Sequence, residues 1–260
     1  MIDIRGKTHI GRRALNEDRF VADAGWGIAL VSDGMGGRDA GEIAAGLVAM
    51  GVVDRLDEGL SLEEAVAGAD EDVRRAAGDG TGKPGMGATL VLAQFEGYDF
   101  RVAWIGDSRA YLWDGELRQI TRDHSEVERL IASGEATPQD AGNRNNKHLI
   151  TRAMGLSDLR AEDVPTLQGT LCRGQQLLLC SDGLSDMLAG TEIAGVLATD
   201  ATPEDKLETL VGRAVEAGGA DNITAVLVTA DDDAPETAAP LPAVSIARPD
   251  GSTEYYGPGE

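Results

Sequence analysis

Three apolar runs in this 260-residue chain each end in an aspartate set beside glycine or serine. Trp26 to Val31 leads into Ser32-Asp33-Gly34-Met35-Gly36-Gly37, Ala103-Trp104-Ile105-Gly106 leads into Asp107-Ser108, and Leu177-Leu178-Leu179-Cys180-Ser181 leads into Asp182-Gly183. Each run reads as a buried strand with a carboxylate at its mouth, and the glycines allow the backbone conformations and close approaches that a ligand site needs. A fourth aspartate, Asp221, lies in Gly218-Gly219-Ala220-Asp221-Asn222, just before a final apolar strand. Any one of these alone reads as a turn residue or a cap. Together they would repel one another unless a cation or a proton neutralised them, so the joint pattern points to a hard-metal site.

Oxygen donors without a nearby His or Cys cluster favour Mg²⁺ or Mn²⁺ over zinc, and the Gly34 carbonyl could complete a coordination sphere where Asp33 bridges two ions. Two ions about 3.5 to 4 Å apart can hold a bridging hydroxide as a nucleophile and neutralise the oxygens of a phosphate. Arginine is the natural third element of such a site, because its planar fork meets a phosphoryl group through two hydrogen bonds.

Composition sets the partners. With 23 basic and 45 acidic residues the net charge is −22, a field that repels nucleic acid and anionic membranes and attracts divalent cations and basic protein segments. The two cysteines, Cys172 and Cys180, sit in apolar sequence without metal-type spacing and read as buried thiols of a reducing compartment. No apolar run approaches the about 20 residues needed to span a bilayer, and Met1-Ile2-Asp3-Ile4-Arg5-Gly6 has no signal-peptide core. A cytoplasmic monomer with no membrane span is expected.

Residues 2 to 10 and 19 to 23 read as strands joined by the charged connection Arg12-Arg13-Ala14-Leu15-Asn16-Glu17-Asp18. Ala40 to Leu56 reads as an amphipathic helix, and Ser61-Leu62-Glu63-Glu64 is a capping box that opens a second helix running to about Ala77. Strands are expected over 87 to 95 and 98 to 105, a hairpin across Asp114-Gly115, a short helix over 125 to 133, strands over 148 to 152, 159 to 167 and 175 to 181, helices over 191 to 199 and 203 to 217, and a last strand over 223 to 230. This order argues for an α+β fold with largely antiparallel sheets in one domain, residues 1–230. Residues 134–147 turn polar and read as a mobile loop, and 231–260, acidic and punctuated by proline, as a disordered tail.

Eight segments carry a family resemblance in order: Arg13-Ala14-Leu15-Asn16-Glu17-Asp18, Ser32-Asp33-Gly34-Met35-Gly36-Gly37, Met86-Gly87-Ala88-Thr89-Leu90, Ile105-Gly106-Asp107-Ser108-Arg109, Thr121-Arg122-Asp123-His124-Ser125, Ile150-Thr151-Arg152-Ala153-Met154-Gly155, Cys180-Ser181-Asp182-Gly183-Leu184 and Asp221-Asn222-Ile223-Thr224. Over about residues 5 to 229 the chain resembles the bacterial branch of the protein phosphatase 2C family, metal-dependent protein serine/threonine phosphatases. The resemblance implies a central β-sandwich of two antiparallel sheets flanked by helix layers, with the metals in a cleft at one end. It implies that Asp33 bridges two Mn²⁺ or Mg²⁺ ions, that Asp182 and Asp221 hold the first, and that the Gly34 carbonyl with Glu17 or Asp18 holds the second. Asp107 resembles the carboxylate that binds a third, weaker metal together with Asp182. Arg13 corresponds to the phosphate-binding arginine, residues 134–147 to a flap beside the cleft, and Asn222 to a residue that fixes the Asp221 loop.

The implied activity is hydrolysis of phosphoserine and phosphothreonine on proteins, opposing a bacterial Ser/Thr kinase that is itself an expected partner. The competing readings are a pseudophosphatase that binds phosphoproteins without turnover, and a partner switch that dephosphorylates an anti-sigma-antagonist type of protein. Three departures from the family pattern stand out: Met35 where many members carry a histidine proposed as general acid, Arg38 where bacterial relatives often carry histidine, and Gln175-Gln176 where Gly-Asp is usual. A thioether cannot donate a proton, so water held at the metals is the expected donor to the leaving alkoxide, ahead of His124 or His148.

Overall fold

The computed structural model describes residues 1–37, 40–137, 149–237, 241, 244–247 and 253–256. The chain runs β1 (Ile2–His9), β2 (Arg19–Asp23), β3 (Ile28–Ser32), β4 (Gly34–Met35), α1 (Ala40–Asp57), α2 (Leu62–Asp79), β5 (Gly87–Ala88), β6 (Leu90–Glu96), β7 (Asp99–Ile105), β8 (Arg109–Trp113), β9 (Leu117–Gln119) and α3 (Glu126–Ala132). It continues through β10 (Thr166–Thr170), β11 (Gln176–Cys180), α4 (Asp182–Ser185), α5 (Gly190–Leu197), α6 (Pro203–Glu216), β12 (Ile223–Ala230), β13 (Val244–Ala247) and β14 (Thr253–Tyr256).

Two five-stranded sheets, ordered β1-β12-β11-β8-β9 and β10-β7-β6-β3-β2, form a sandwich in which every described pairing is antiparallel. The α+β expectation of two antiparallel sheets flanked by helix layers is met. The central strands read as continuous apolar runs because both of their faces are covered. Leu177 and Leu179 point into the sandwich with Val31, Val91, Trp104 and Val226, while Leu178 and Cys180 point outward under α5 and α6. On the opposite side, Leu30, Leu90 and Leu92 pack beneath the alanine-rich face of α1 and beneath α2. Burying a side chain such as Leu177 or Leu179 contributes about 1.5–3 kcal/mol, so each of these runs anchors a strand on both faces at once.

The capping box of α2 forms as its sequence predicts: Ser61 accepts from the Glu64 N–H, and the Glu64 carboxylate accepts from the Ser61 N–H. Cys172 and Cys180 are free, buried thiols, and among the described residues no helix is long and apolar enough to cross a membrane.

Three expectations are corrected. Among the described residues of the stretch 148 to 152 only Ile150 bridges, to Ser125, and none lies in a strand. The strand expected over 159 to 167 begins at Thr166, and Ala161–Asp163 is instead a 3-10 turn, as the charged run Arg160 to Asp163 has no period-two alternation to lay on a sheet. In the stretch expected to be a disordered tail, β13 and β14 pair with each other. The sequence Pro249-Asp250-Gly251 between them is a turn signature, and Val244-Ser245-Ile246-Ala247 alternates as a strand does. Of the expected loop 134–147, residues 138–147 lie outside the described residues, as do Arg38 and His148.

Candidate metal centre

The ladder registers bring the aspartate-bearing ends to one end of the sandwich. Arg19 pairs with Ser32, Leu90 with Ile105, Arg109 with Cys180, and His9 with Ile223. Asp33 leaves β3 and Asp107 leaves β7, both in one sheet, whereas Asp182 opens α4 just past β11 and Asp221 precedes β12 in the other. Asp18 and Glu17 enter β2, and Arg13 lies in the connection from β1. The site therefore straddles both sheets.

Small hydroxyl residues beside the aspartates hold the main chain. Asp33 N–H donates to Thr89 Oγ1 at 2.9 Å, Thr89 N–H donates to the Asp33 carbonyl at 2.8 Å, and Ser32 Oγ donates to the Thr89 carbonyl at 2.7 Å. Thr89 Oγ1 lies 2.7 Å from Ser108 Oγ, which links the Asp33 loop to the Asp107 loop. Ser181 Oγ donates to Asp18 Oδ2 at 2.9 Å and accepts from Thr224 N–H at 3.0 Å, tying the two sheets together beneath the carboxylates. Thr89 and Ser181 were not singled out in the sequence. Their signal is the pairing of a serine with each strand-end aspartate: Ser32-Asp33, Asp107-Ser108 and Ser181-Asp182.

Asn222 fixes the arginine-bearing connection. Its Nδ2 donates to the Ile10 carbonyl at 2.8 Å and the Leu15 carbonyl at 2.9 Å, and its Oδ1 accepts from the Glu17 N–H at 2.8 Å. Arg13 Nη2 lies 2.5 Å from Asp221 Oδ2, and the guanidinium also feels Asp33 and Glu17, all of which raise its pKa. Glu17 Oε1 accepts from Gly41 N–H at 3.2 Å, at the start of α1. Gly34 lies against the same turn of helix: a Cβ built on it would stand 2.0 Å from the Gly41 carbonyl oxygen, so only glycine fits.

The electrostatics show why a cation belongs here. The Asp33 carboxyl is pushed well above its ordinary value by desolvation and then by Asp18, Asp182, Asp221 and Asp107. Asp18 is raised to about 6, first by burial, with Asp182 and Asp221 adding to it. Asp107 is raised to about 7, first by burial and then by Asp182 and Asp123. Buried Asp18 Oδ1 has no hydrogen-bond partner, a costly state for a carboxylate oxygen in a protein interior. These observations fit one or more divalent cations facing Asp18, Asp33, Asp107, Asp182 and Asp221. Among the described residues no three acidic, histidine or cysteine side chains close into a ready-made cage.

Two histidine questions are also answered for the described residues. His124 is buried, with its Nδ1 accepting from Gly106 N–H at 3.0 Å, so its ring faces the fold and not the cleft. Met35 pairs with Gly87 in the short β4-β5 ladder and places a thioether two residues past Asp33.

Residues 5–211 match the sequence model of the family described as protein phosphatase 2C. Protein phosphatase PhpP of Streptococcus pneumoniae is 34% identical over 239 residues, covering 87% of this chain and 96% of PhpP. The crystal structure of the Mycobacterium tuberculosis serine/threonine phosphatase PstP/Ppp superposes with a TM-score of 0.80 at 32% identity, over 91% of this chain and 99% of that one. A crystal structure of the catalytic domain of the serine/threonine protein phosphatase PstP in complex with two manganese ions superposes with a TM-score of 0.77 at 32% identity, over 88% of this chain and 97% of that one. Fold, motif order and sequence agree, and the chain belongs to the protein phosphatase 2C family.

Proposed function

We infer that the chain is a metal-dependent protein serine/threonine phosphatase that hydrolyses phosphoserine and phosphothreonine on proteins and uses Mn²⁺ or Mg²⁺. The observation that carries this is the meeting of five aspartates from both sheets with Arg13 at one end of the sandwich, where burial first and then their mutual repulsion raise Asp18, Asp33 and Asp107. Family membership and the two manganese ions of the PstP catalytic domain support it.

In this reading Asp33 would serve both ions, Asp182 and Asp221 would hold one, and the Gly34 carbonyl with Asp18 or Glu17 would hold the other. Asp107 with Asp182 provides a third, weaker position. When bound, the ions supply an activated water nucleophile and neutralise charge on the phosphoryl oxygens. Arg13 orients the phosphoryl group through its planar fork, and Asn222 holds the backbone on either side of Arg13 in place. The new P–O bond forms to water as the P–O bond to the serine or threonine oxygen breaks. The leaving oxygen takes its proton from water in the cleft, since Met35 has none to give and the His124 ring is turned away. A Ser/Thr kinase and its phosphorylated targets are the natural partners of such an activity, in a reducing compartment where Cys172 and Cys180 stay free.

The test is hydrolysis of a phosphothreonine peptide and of p-nitrophenyl phosphate, with Mn²⁺ against excess chelator, for wild type beside Asp182→Ala. Metal-dependent release that disappears in the variant is expected. A folded, metal-binding wild type that releases no phosphate would overturn the enzymatic reading in favour of a phosphoprotein-binding module.

A further inference from the structure

Asp107 sits on the tight turn between β7 and β8, and the preceding residue carries an unusual constraint. Gly106 has φ +103°, and a Cβ there would stand 2.7 Å from the Thr89 methyl, so the turn is closed to any side chain. What holds the Gly106 peptide is a single residue from the strand-like segment that crosses beneath the turn. His124 N–H donates to the Gly106 carbonyl at 2.8 Å, and His124 Nδ1 accepts from Gly106 N–H at 3.0 Å. The ring is thus a neutral imidazole with its proton on Nε2, because a backbone N–H can donate only to an unprotonated nitrogen. Nε2 is buried and has no partner. The segment around His124 is clamped along its length: Trp104 Nε1 donates to the Arg122 carbonyl at 2.8 Å, and Arg109 grips Asp123 through Nε at 3.0 Å and Nη2 at 2.6 Å.

The same segment also carries the chain that returns after residue 148. Thr151 N–H donates to the His124 carbonyl at 2.7 Å, Glu126 N–H donates to the Leu149 carbonyl at 2.9 Å, and Ser125 bridges Ile150. His124 is therefore hydrogen-bonded on one side to Gly106, next to Asp107, and on the other to Thr151 of the returning segment.

We propose that His124 is a positioning residue for Asp107: its Nδ1 holds the Ile105–Gly106 amide while its main-chain N–H holds the Gly106 carbonyl, so that the Asp107 carboxylate faces Asp182 and completes the weakest metal position, and it ties that position to residues 149–151. This rests on the reading of Asp107 as a metal ligand. Residues that orient a ligand without touching the metal commonly govern its affinity by about 10- to 100-fold.

The test uses the full chain stripped of metal and titrated calorimetrically with Mn²⁺. His124→Asn places its amide oxygen where Nδ1 stands, whereas His124→Gln carries its amide to the Nε2 position, and both bury a polar amide at similar cost to the fold. The expected result is that Asp107→Asn removes the weakest Mn²⁺ site, His124→Gln weakens that site about tenfold while leaving the tighter sites unchanged, and His124→Asn keeps it within a few-fold of wild type. Equal loss in the Asn and Gln variants, or no loss in either, overturns the positioning role. If Asp107→Asn leaves every site intact, the ligand reading of Asp107 fails first and the proposal falls with it. A second measurement needs no variant: nitrogen NMR of wild type should show His124 protonated on Nε2 and the Gly106 amide slow to exchange. A proton on Nδ1 would overturn the proposal.

Discussion

Arg13 Nη2 lies 2.5 Å from Asp221 Oδ2, so the side chain proposed to bind phosphate and one proposed to bind metal pair with each other. A metal held by Asp221 would compete for that carboxylate and leave the guanidinium to a phosphoryl group. Charge-assisted hydrogen bonds contribute about 1.5–3 kcal/mol, so Arg13→Ala should lower kcat/KM by roughly 10- to 100-fold. Steady-state kinetics on a phosphopeptide check this, with Mn²⁺ affinity expected to be undiminished.

Asn222→Ala removes three hydrogen bonds that span Ile10, Leu15 and Glu17. At about 0.5–1.5 kcal/mol for each hydrogen bond lost, the loss should be on the order of 2–4 kcal/mol in stability, measured by urea denaturation. Activity should fall further than stability explains, because the connection that carries Arg13 is released.

Asp70 is a fully buried carboxylate on α2 whose Oδ1 accepts from Gly155 N–H at 2.7 Å and whose Oδ2 takes Arg74 Nε at 2.8 Å. It latches the helix to the segment Met154–Leu159, and Met154 in turn bridges Ala88 beside the Asp33 loop. Asp70→Ala strands the Gly155 and Leu159 amides and leaves Arg74 only Asp158, which should cost about 3 kcal/mol or more and lower Tm by roughly 6–12 °C. Scanning calorimetry reads the shift.

Metal removal should give stability an unusual pH dependence. Asp18 and Asp107, at about 6 and about 7 in the fold against 3.8 otherwise, and Asp33, also raised by burial and its neighbours, bind protons more tightly folded than unfolded. The metal-free protein therefore loses stability as pH rises through that window. His124, lowered to about 3 by burial from 6.5, acts oppositely, but only below 6.5. Between about pH 6.5 and about pH 8 the carboxylates act alone, so the Tm of the chelated protein should fall across that range and that of the Mn²⁺-loaded protein should stay nearly level.

Sequence legibility followed the range of the interaction. The strand-end aspartates could be read because an apolar run, a carboxylate and a glycine are neighbours in the chain, and the α2 capping box because its partners are three residues apart. Asp70 could not, since Ala69-Asp70-Glu71-Asp72 looks like any solvated helical turn until Gly155 arrives from 85 residues away. The hold of His124 on Gly106 and the link from Ser181 to Asp18 were equally silent, because each depends on which strands become neighbours. The hairpin of β13 and β14 was missed for a different reason: acidic and proline-rich composition outweighed a local turn signature.

The last long strand, β12, does not lie at an edge but between β1 and β11. During synthesis the first strand must therefore wait, its partner unmade, until the chain has passed Ala230. Asp221 is the last of the aspartates to emerge, immediately ahead of that strand. A nascent chain can assemble the β3-β6-β7 half beforehand, but the ion-holding end comes into being only when the final strand slides into the gap. A chain cut short before residue 221 would lack both β12 and one of the proposed metal ligands, and so could not complete the site.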